Sequence, residues 1–220
     1  MDIATRSGRT ITVDEIYRLD FESEEPIRQE LWHIQEGDTV LDIGASLGIY
    51  TLPALACGAR VFAVDILDDP HTSPLAVMAR DNGIDEKLVV IRCAVGDEDG
   101  YPPWLADALI REHSTYPGLS AAEMERDGLG WSTIDKLVSG YCIDKVDWIK
   151  IDTEGGEWPI LLGARKTLER DHPKLLVEEH SHIPWVHDAQ SGPNVYRYLN
   201  ELGYGVRAIP YDNRELWWCV

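Results

Sequence analysis

The chain has 220 residues, 44% hydrophobic and 27% charged, the composition of one ordinary globular domain, which excludes a disordered or fibrous chain. Asp and Glu number 39 against 20 Lys and Arg, a formal charge of −19. Phosphate backbones and anionic membrane surfaces demand clustered cations, so neither nucleic acid nor membrane is an expected partner.

Residues 1–36 read as an N-terminal cap with helical character, and Met1-Asp2-Ile3-Ala4-Thr5-Arg6 lacks the basic and apolar regions of a signal peptide. Short β-branched runs predict strands at Thr39–Ile43, Arg60–Val64, Leu88–Cys93, Val146–Ile151, Lys174–Glu178, Gly205–Ile209 and Leu216–Val220. Helix signals lie between them. Ser73-Pro74 reads as an N-cap with proline at the first helical position, closed by Asn82-Gly83. Glu157–Arg170 has helical spacing and basic residues near its end, and Pro193 opens a segment running to about Leu202. The uncharged run Ile43–Ala59 is too short for a membrane span.

Strands alternating with helices predict a parallel sheet covered on both faces. Only Pro210–Glu215 separates the last two strands, too little for a crossover, so they should form an antiparallel hairpin. Residues 98–132 interrupt the rhythm. This insertion holds Pro102, Pro103, Trp104, Tyr116 and Trp131 and reads as a short helix near Leu105–Glu112 within a substrate lid or a surface elaboration. The cysteines, Cys57, Cys93, Cys142 and Cys219, form no C-x-x-C pair, and three lie in apolar stretches. Buried reduced thiols in a cytoplasmic protein are expected.

Three segments carry chemistry. In Val40-Leu41-Asp42-Ile43-Gly44-Ala45-Ser46-Leu47-Gly48 a buried strand enters a small-residue turn. The pattern is not G-x-G-x-x-G and no phosphate-binding lysine follows. Asp42 would repel a pyrophosphate and suits a ligand carrying an ammonium group. Asp65 ends the second strand, about 20 residues on, where a carboxylate can accept both ribose hydroxyls. The third segment, Val146–Ile151, runs into Asp152-Thr153-Glu154-Gly155-Gly156-Glu157. Parallel strands put Asp42, Asp65, Asp97, Asp152, Glu178 and His180 on one rim, the edge where open α/β sheets bind ligands. Glu157 falls in the first turn of the following helix, where the dipole favours an acid.

Lys150-Ile151-Asp152-Thr153-Glu154-Gly155-Gly156-Glu157, with Leu161-Leu162-Gly163-Ala164 after it, closely resembles the FkbM-type methyltransferases. So do Asp42–Gly48 as their cofactor loop, Asn82-Gly83 with Ala94-Val95-Gly96-Asp97, Leu175–His180 as their fifth strand, and Tyr198-Leu199 with Leu202-Gly203-Tyr204. Ser46 stands where the family usually has Asn, and Asp65 where Glu is commoner. The resemblance implies a single Rossmann-like class I methyltransferase domain over 1–220: a seven-stranded, mostly parallel sheet with a terminal antiparallel hairpin and helices on both faces. It implies S-adenosyl-L-methionine as donor and a hydroxyl of a small molecule, a sugar or secondary metabolite, as acceptor.

On that resemblance, Asp42, Gly44, Ala45, Ser46, Gly48, Asp65, Ile66, Ala94 and Asp152 bind the cofactor. Glu178 and His180 face the acceptor, with Trp104, Trp131 and Trp185 as walls of its pocket. Two ways of handling the acceptor's proton stay open. One is base catalysis by His180 or Asp152 with Glu154 orienting a partner. The other is a divalent ion on Asp152, Glu178 and His180. His182 and His187 show that the segment is simply rich in histidine, so no metal is expected. A catalytically silent cofactor-binding domain is the rival reading. An NAD-type oxidoreductase is opposed by the missing G-x-G-x-x-G and by the hairpin.

Overall fold

The structure, a computed structural model, describes residues 1–66, 73–97, 130–180, 192–211 and 214–220. In chain order its strands and α-helices are β1 (Asp2–Ala4), β2 (Thr10–Thr12), α1 (Arg18–Ser23), α2 (Glu25–Leu31), β3 (Thr39–Ile43), α3 (Thr51–Ala56), β4 (Arg60–Asp65), α4 (Pro74–Asp81), β5 (Leu88–Val95) and β6 (Gly130–Ser132). There follow α5 (Ile134–Gly140), β7 (Trp148–Ile151), α6 (Glu157–Leu162), α7 (Arg165–Asp171), β8 (Lys174–Glu179), α8 (Gly192–Glu201), β9 (Val206–Tyr211) and β10 (Arg214–Cys219).

The main sheet has the order β6-β5-β4-β3-β7-β8-β10-β9. Its first six strands are parallel. The hairpin closes it, with β10 antiparallel to both β8 and β9. Seven strands match the expected sheet. The eighth, β6, lies outside β5, and its three residues are too few to show as an apolar run. Crossovers from β3 wind one way through β4 and β5, and the chain then returns to the other side of β3 with β7 and β8. The switch point therefore falls between β3 and β7.

Alternation along the strands divides the core in two. Val40, Val61, Ala63, Trp148, Leu176 and Leu216 pack under the N-terminal region, α3 and α4. Leu41, Ile43, Phe62, Val64, Ile149, Ile151 and Val177 pack under α5, α6, α7 and α8. Trp148 and the terminal tryptophans are core residues, as their place in strands suggests. The Trp148 ring meets Trp32 at 5.2 Å and Trp218 at 5.3 Å.

Local signals explain several element ends. The Ser73 hydroxyl accepts the Ala76 N–H at 3.2 Å, capping α4 with Pro74 in its first turn. The helix expected over Glu157–Arg170 is two helices instead. A side chain at Gly163 would meet the Gly96 carbonyl at 1.9 Å, so the chain crosses there without one. Asp135 then accepts the N–H groups of Lys166 and Thr167 at 3.0 and 2.8 Å, starting α7 afresh. The N-terminal cap also holds the β1–β2 hairpin, which no apolar run announces. The amide of Asn82 pairs with the Thr12 backbone like a neighbouring peptide, at 2.6 and 2.7 Å.

The helix expected near Leu105–Glu112 lies outside the described residues. Of the cysteines expected to be buried, Cys93 and Cys219 are, Cys57 is half-buried, and Cys142 is exposed; all four are free. No helix among the described residues is long and apolar enough to cross a membrane.

Candidate active site

The turn after β3 is shaped by backbone strain and close packing. Gly44, Ser46 and Gly48 have φ of +78°, +46° and +81°, the left-handed region that glycine enters freely and Asn more readily than most residues. The family's usual Asn at position 46 therefore has a conformational reason, and Ser46 adopts the same geometry. A side chain at Gly44 would meet the Asp152 carbonyl at 1.8 Å, and one at Gly48 the Leu75 side chain at 2.3 Å. Both glycines are demanded by protein packing against the β7 tip and α4. The turn is anchored to β4, where the Val64 carbonyl accepts the Gly44 and Ala45 N–H groups at 2.8 and 3.2 Å. The Asp65 carboxylate accepts the Ser46 N–H at 2.9 Å. Half-buried Ile66 follows, its carbonyl accepting from Arg92 at 3.3 Å.

Asp42 is fully buried beneath this turn. Its Oδ2 accepts the Thr51 hydroxyl at 2.6 Å, and its Oδ1 lies 3.5 Å from the ammonium of Lys150. Burial raises its pKa although Lys150 and Thr51 oppose that. Lys150, missed in the sequence, is the second buried charge. It donates to the Gly44 carbonyl at 2.8 Å and pairs with Asp152 at 3.3 Å. Burial alone would lower its pKa, but the carboxylates of Asp152 and Asp42 raise it on balance. Its signal was available: a lysine within the apolar strand Val146–Ile151 must be paired if it is to be buried.

The β7 tip folds back on itself. Glu154 has φ +54° and Gly155 +108°. Oε1 of Glu157 accepts the N–H groups of Thr153 and Gly155 at 3.2 and 3.1 Å and lies 3.0 Å from Nδ1 of His180. Glu157 thus does the expected work of an acid at a helix start, and it also fixes the imidazole. The other nitrogen of His180, Nε2, faces carboxylates of Glu154 and Glu178 at 3.5 Å each and Asp152 at 4.0 Å. Glu178 and His180 are buried, Asp152 is half-buried and Glu154 exposed. Burial works against the charged ring, yet Glu157, Glu154 and Asp152 together hold the His180 pKa up at about 9.

The structure therefore brings Asp152, Glu154, Glu178 and His180 together, beside a turn carrying Gly44, Ala45, Ser46 and Gly48, with Asp65 one strand away. Ala94 is buried on β5, paired with Trp131 of β6. Trp131 does not join the His180 group. Four strands separate β6 from β8, and a side chain at Gly96 would meet the Trp131 ring at 2.3 Å. Asp97 is exposed past the end of β5. Trp104, Trp185, His182 and His187 lie outside the described residues. Cys93 and Cys219 are buried, which pushes their thiols up to about 11 and about 12.

This strand order, with a glycine turn after its central strand and acids at the neighbouring tips, defines a class I methyltransferase architecture. The family model for the methyltransferase FkbM domain matches residues 42–206. The chain belongs to that family, and so to the S-adenosylmethionine-dependent methyltransferases. Among solved structures it resembles methyltransferase FkbM from Methylobacillus flagellatus KT, with a TM-score of 0.59 and 19% identity over 87% of this chain. It spans 46% of that protein's length. A SAM-dependent methyltransferase from Aquifex aeolicus gives 0.51 at 17% identity, covering 94% of this chain and 93% of the other. An rRNA methylase from Streptococcus thermophilus gives 0.50 at 13%, covering 94% and 97%. At these identities the likeness is one of fold. A search among curated proteins finds no match.

Proposed function

We propose that the protein transfers a methyl group from S-adenosylmethionine to a hydroxyl of a small molecule such as a sugar or secondary metabolite, in the cytoplasm. The observation that carries this reading is the packing of the Asp152 backbone against Gly44, which sets the acid–histidine group directly beside the cofactor turn. When bound, the cofactor supplies an electrophilic methyl whose C–S electron pair stays on sulfur as the new C–O bond forms.

Asp65 and the Ser46–Gly48 turn fit a ribose and a methionine end. Asp42, sealed under the turn, supports it through Thr51 and Lys150. Alignment of the acceptor can contribute about 7–11 kcal/mol. The acceptor's proton is the harder problem. An alcohol with a pKa near 15.7 costs about 12 kcal/mol to ionise at neutral pH, at about 1.36 per pKa unit. Four carboxylates around one imidazole suit that task. Glu157 fixes the His180 ring among them, and the proton passes to the exposed carboxylate of Glu154. The charge of −19 favours a small acceptor over a nucleic acid, and the four free thiols fit a reducing compartment.

Thermal unfolding with S-adenosylhomocysteine, S-adenosylmethionine and NAD tests the cofactor. The first two raise the melting temperature by mass action, NAD does not, and D65A removes the shift. Isotope-labelled methyl transfer to panels of alcohols, amines and RNA tests the acceptor. Label appearing only in amines or RNA overturns the hydroxyl assignment.

A further inference from the structure

We propose that Asp152, Glu178 and His180 form a binding site for a divalent cation of the Mn2+ type at the acceptor side of the cofactor turn. One oxygen from each carboxylate and one ring nitrogen lie within 4.8 Å of one another. An ion with bonds of about 2.0–2.2 Å holds ligands at most about 4.4 Å apart, so the site closes on it by about half an ångström. Two oxygens and one imidazole nitrogen are a donor set for first-row divalent ions.

Nε2 of His180 faces the carboxylates of Glu154, Glu178 and Asp152 at 3.5, 3.5 and 4.0 Å. The opposite nitrogen, Nδ1, is held at 3.0 Å by Glu157. Glu157 is itself pinned by the Thr153 and Gly155 N–H groups. A carboxylate behind a histidine, fixing its tautomer and aiming its other nitrogen, is the outer-sphere support that ligating histidines use. The charge also fits: four carboxylates meet the ring, Lys150 is paired with one of them, and a divalent ion offsets more of the remaining negative charge than a single proton does.

The inference deepens the methyl-transfer reading and rests on it for its role. Such an ion lowers the pKa of a hydroxyl placed on it, where a general base alone contributes only about 10²–10⁴-fold. Glu154, outside the three ligands and exposed, is left to take the proton.

The test uses the chelator-treated 220-residue chain, titrated with MnCl2 while free Mn2+ is followed by its EPR signal. One equivalent should bind saturably, and E178Q and H180Q should each weaken binding at least tenfold. E157Q, which removes support but no ligand, should weaken it about 10–100-fold. Circular dichroism and S-adenosylhomocysteine binding establish that each variant folds. No saturable binding up to millimolar Mn2+, or equal binding in folded E178Q, H180Q and E157Q (an adventitious ion only), overturns the site. Methyl transfer that survives exhaustive chelation also overturns it, leaving the transfer reading intact. Specific Mn2+ binding by a chain that transfers no methyl group upholds the metal site and removes the transfer reading.

Discussion

The two edges of the parallel sheet use the same residue type in opposite ways. At the amino edge Asp147, Asp171 and Asp38 are each engaged by donors. Asp147 accepts the Thr39 N–H at 2.9 Å and pairs with Lys145 at 2.6 Å. Asp171 accepts the Val146 N–H at 2.8 Å beside Arg170. Asp38 takes the Gln35 N–H and the Trp148 indole at 2.8 and 3.0 Å. At the carboxyl edge Asp152, Glu154, Glu157 and Glu178 crowd one imidazole. Acids matched to donors hold strands in register. Acids gathered in excess suit holding positive charge or taking up protons, the role proposed for this edge. Burying carboxylates together is costly, so the excess marks the working edge more clearly than any single residue does.

Substitutions on the two edges should therefore fail differently. The largest effect is expected for H180Q, with turnover down about 10²–10⁴-fold and S-adenosylhomocysteine affinity within a few-fold of the parent. Equal losses in both would merge the edges into one structural unit. Next, G44A should destabilise the chain by about 3 kcal/mol or more, from a side chain forced on the Asp152 carbonyl and a strained φ. Denaturant unfolding measures this, and an unchanged midpoint would break the packing argument. D147A on the amino edge should cost about 1–3 kcal/mol by orphaning the Thr39 N–H, with kcat per folded molecule unchanged.

The smallest effect concerns acid. Burial opposes ionisation of Asp171, but the bonds from Arg170 and Val146 hold its carboxyl below the usual range. Its contribution to stability is present above the unfolded pKa, about 3.9, and fades as pH falls through the lower folded value. D171N should therefore flatten the stability profile below about pH 4 and change little near neutrality. An unchanged acid limb would remove Asp171 from the set of structural locks.

The strands and the rim acids were legible because period-two apolar runs and acids at their ends are local patterns. So was the Ser73 cap. What escaped notice depends on contacts distant in sequence. The break at Gly163 needs the Gly96 carbonyl across the fold, and β6 is three residues paired with the edge of β5. Trp131 looked like a pocket wall by composition, whereas sheet order puts it far from His180. Glu157 was legible as a helix-start acid but not as the partner of a histidine 23 residues on. Lys150 was visible all along as a charge inside an apolar strand.

That lysine has a consequence for redesign. Its single ammonium grips the Gly44 carbonyl on one side and the Asp152 carboxylate on the other, so the glycine turn and the β7 tip are riveted at one point. On the proposed roles of the two, retargeting the enzyme through Asp152 would carry the glycine turn with it. New acceptor preferences obtained that way should arrive with altered donor affinity, whereas changes at Glu154, which Lys150 does not hold, leave the rivet in place.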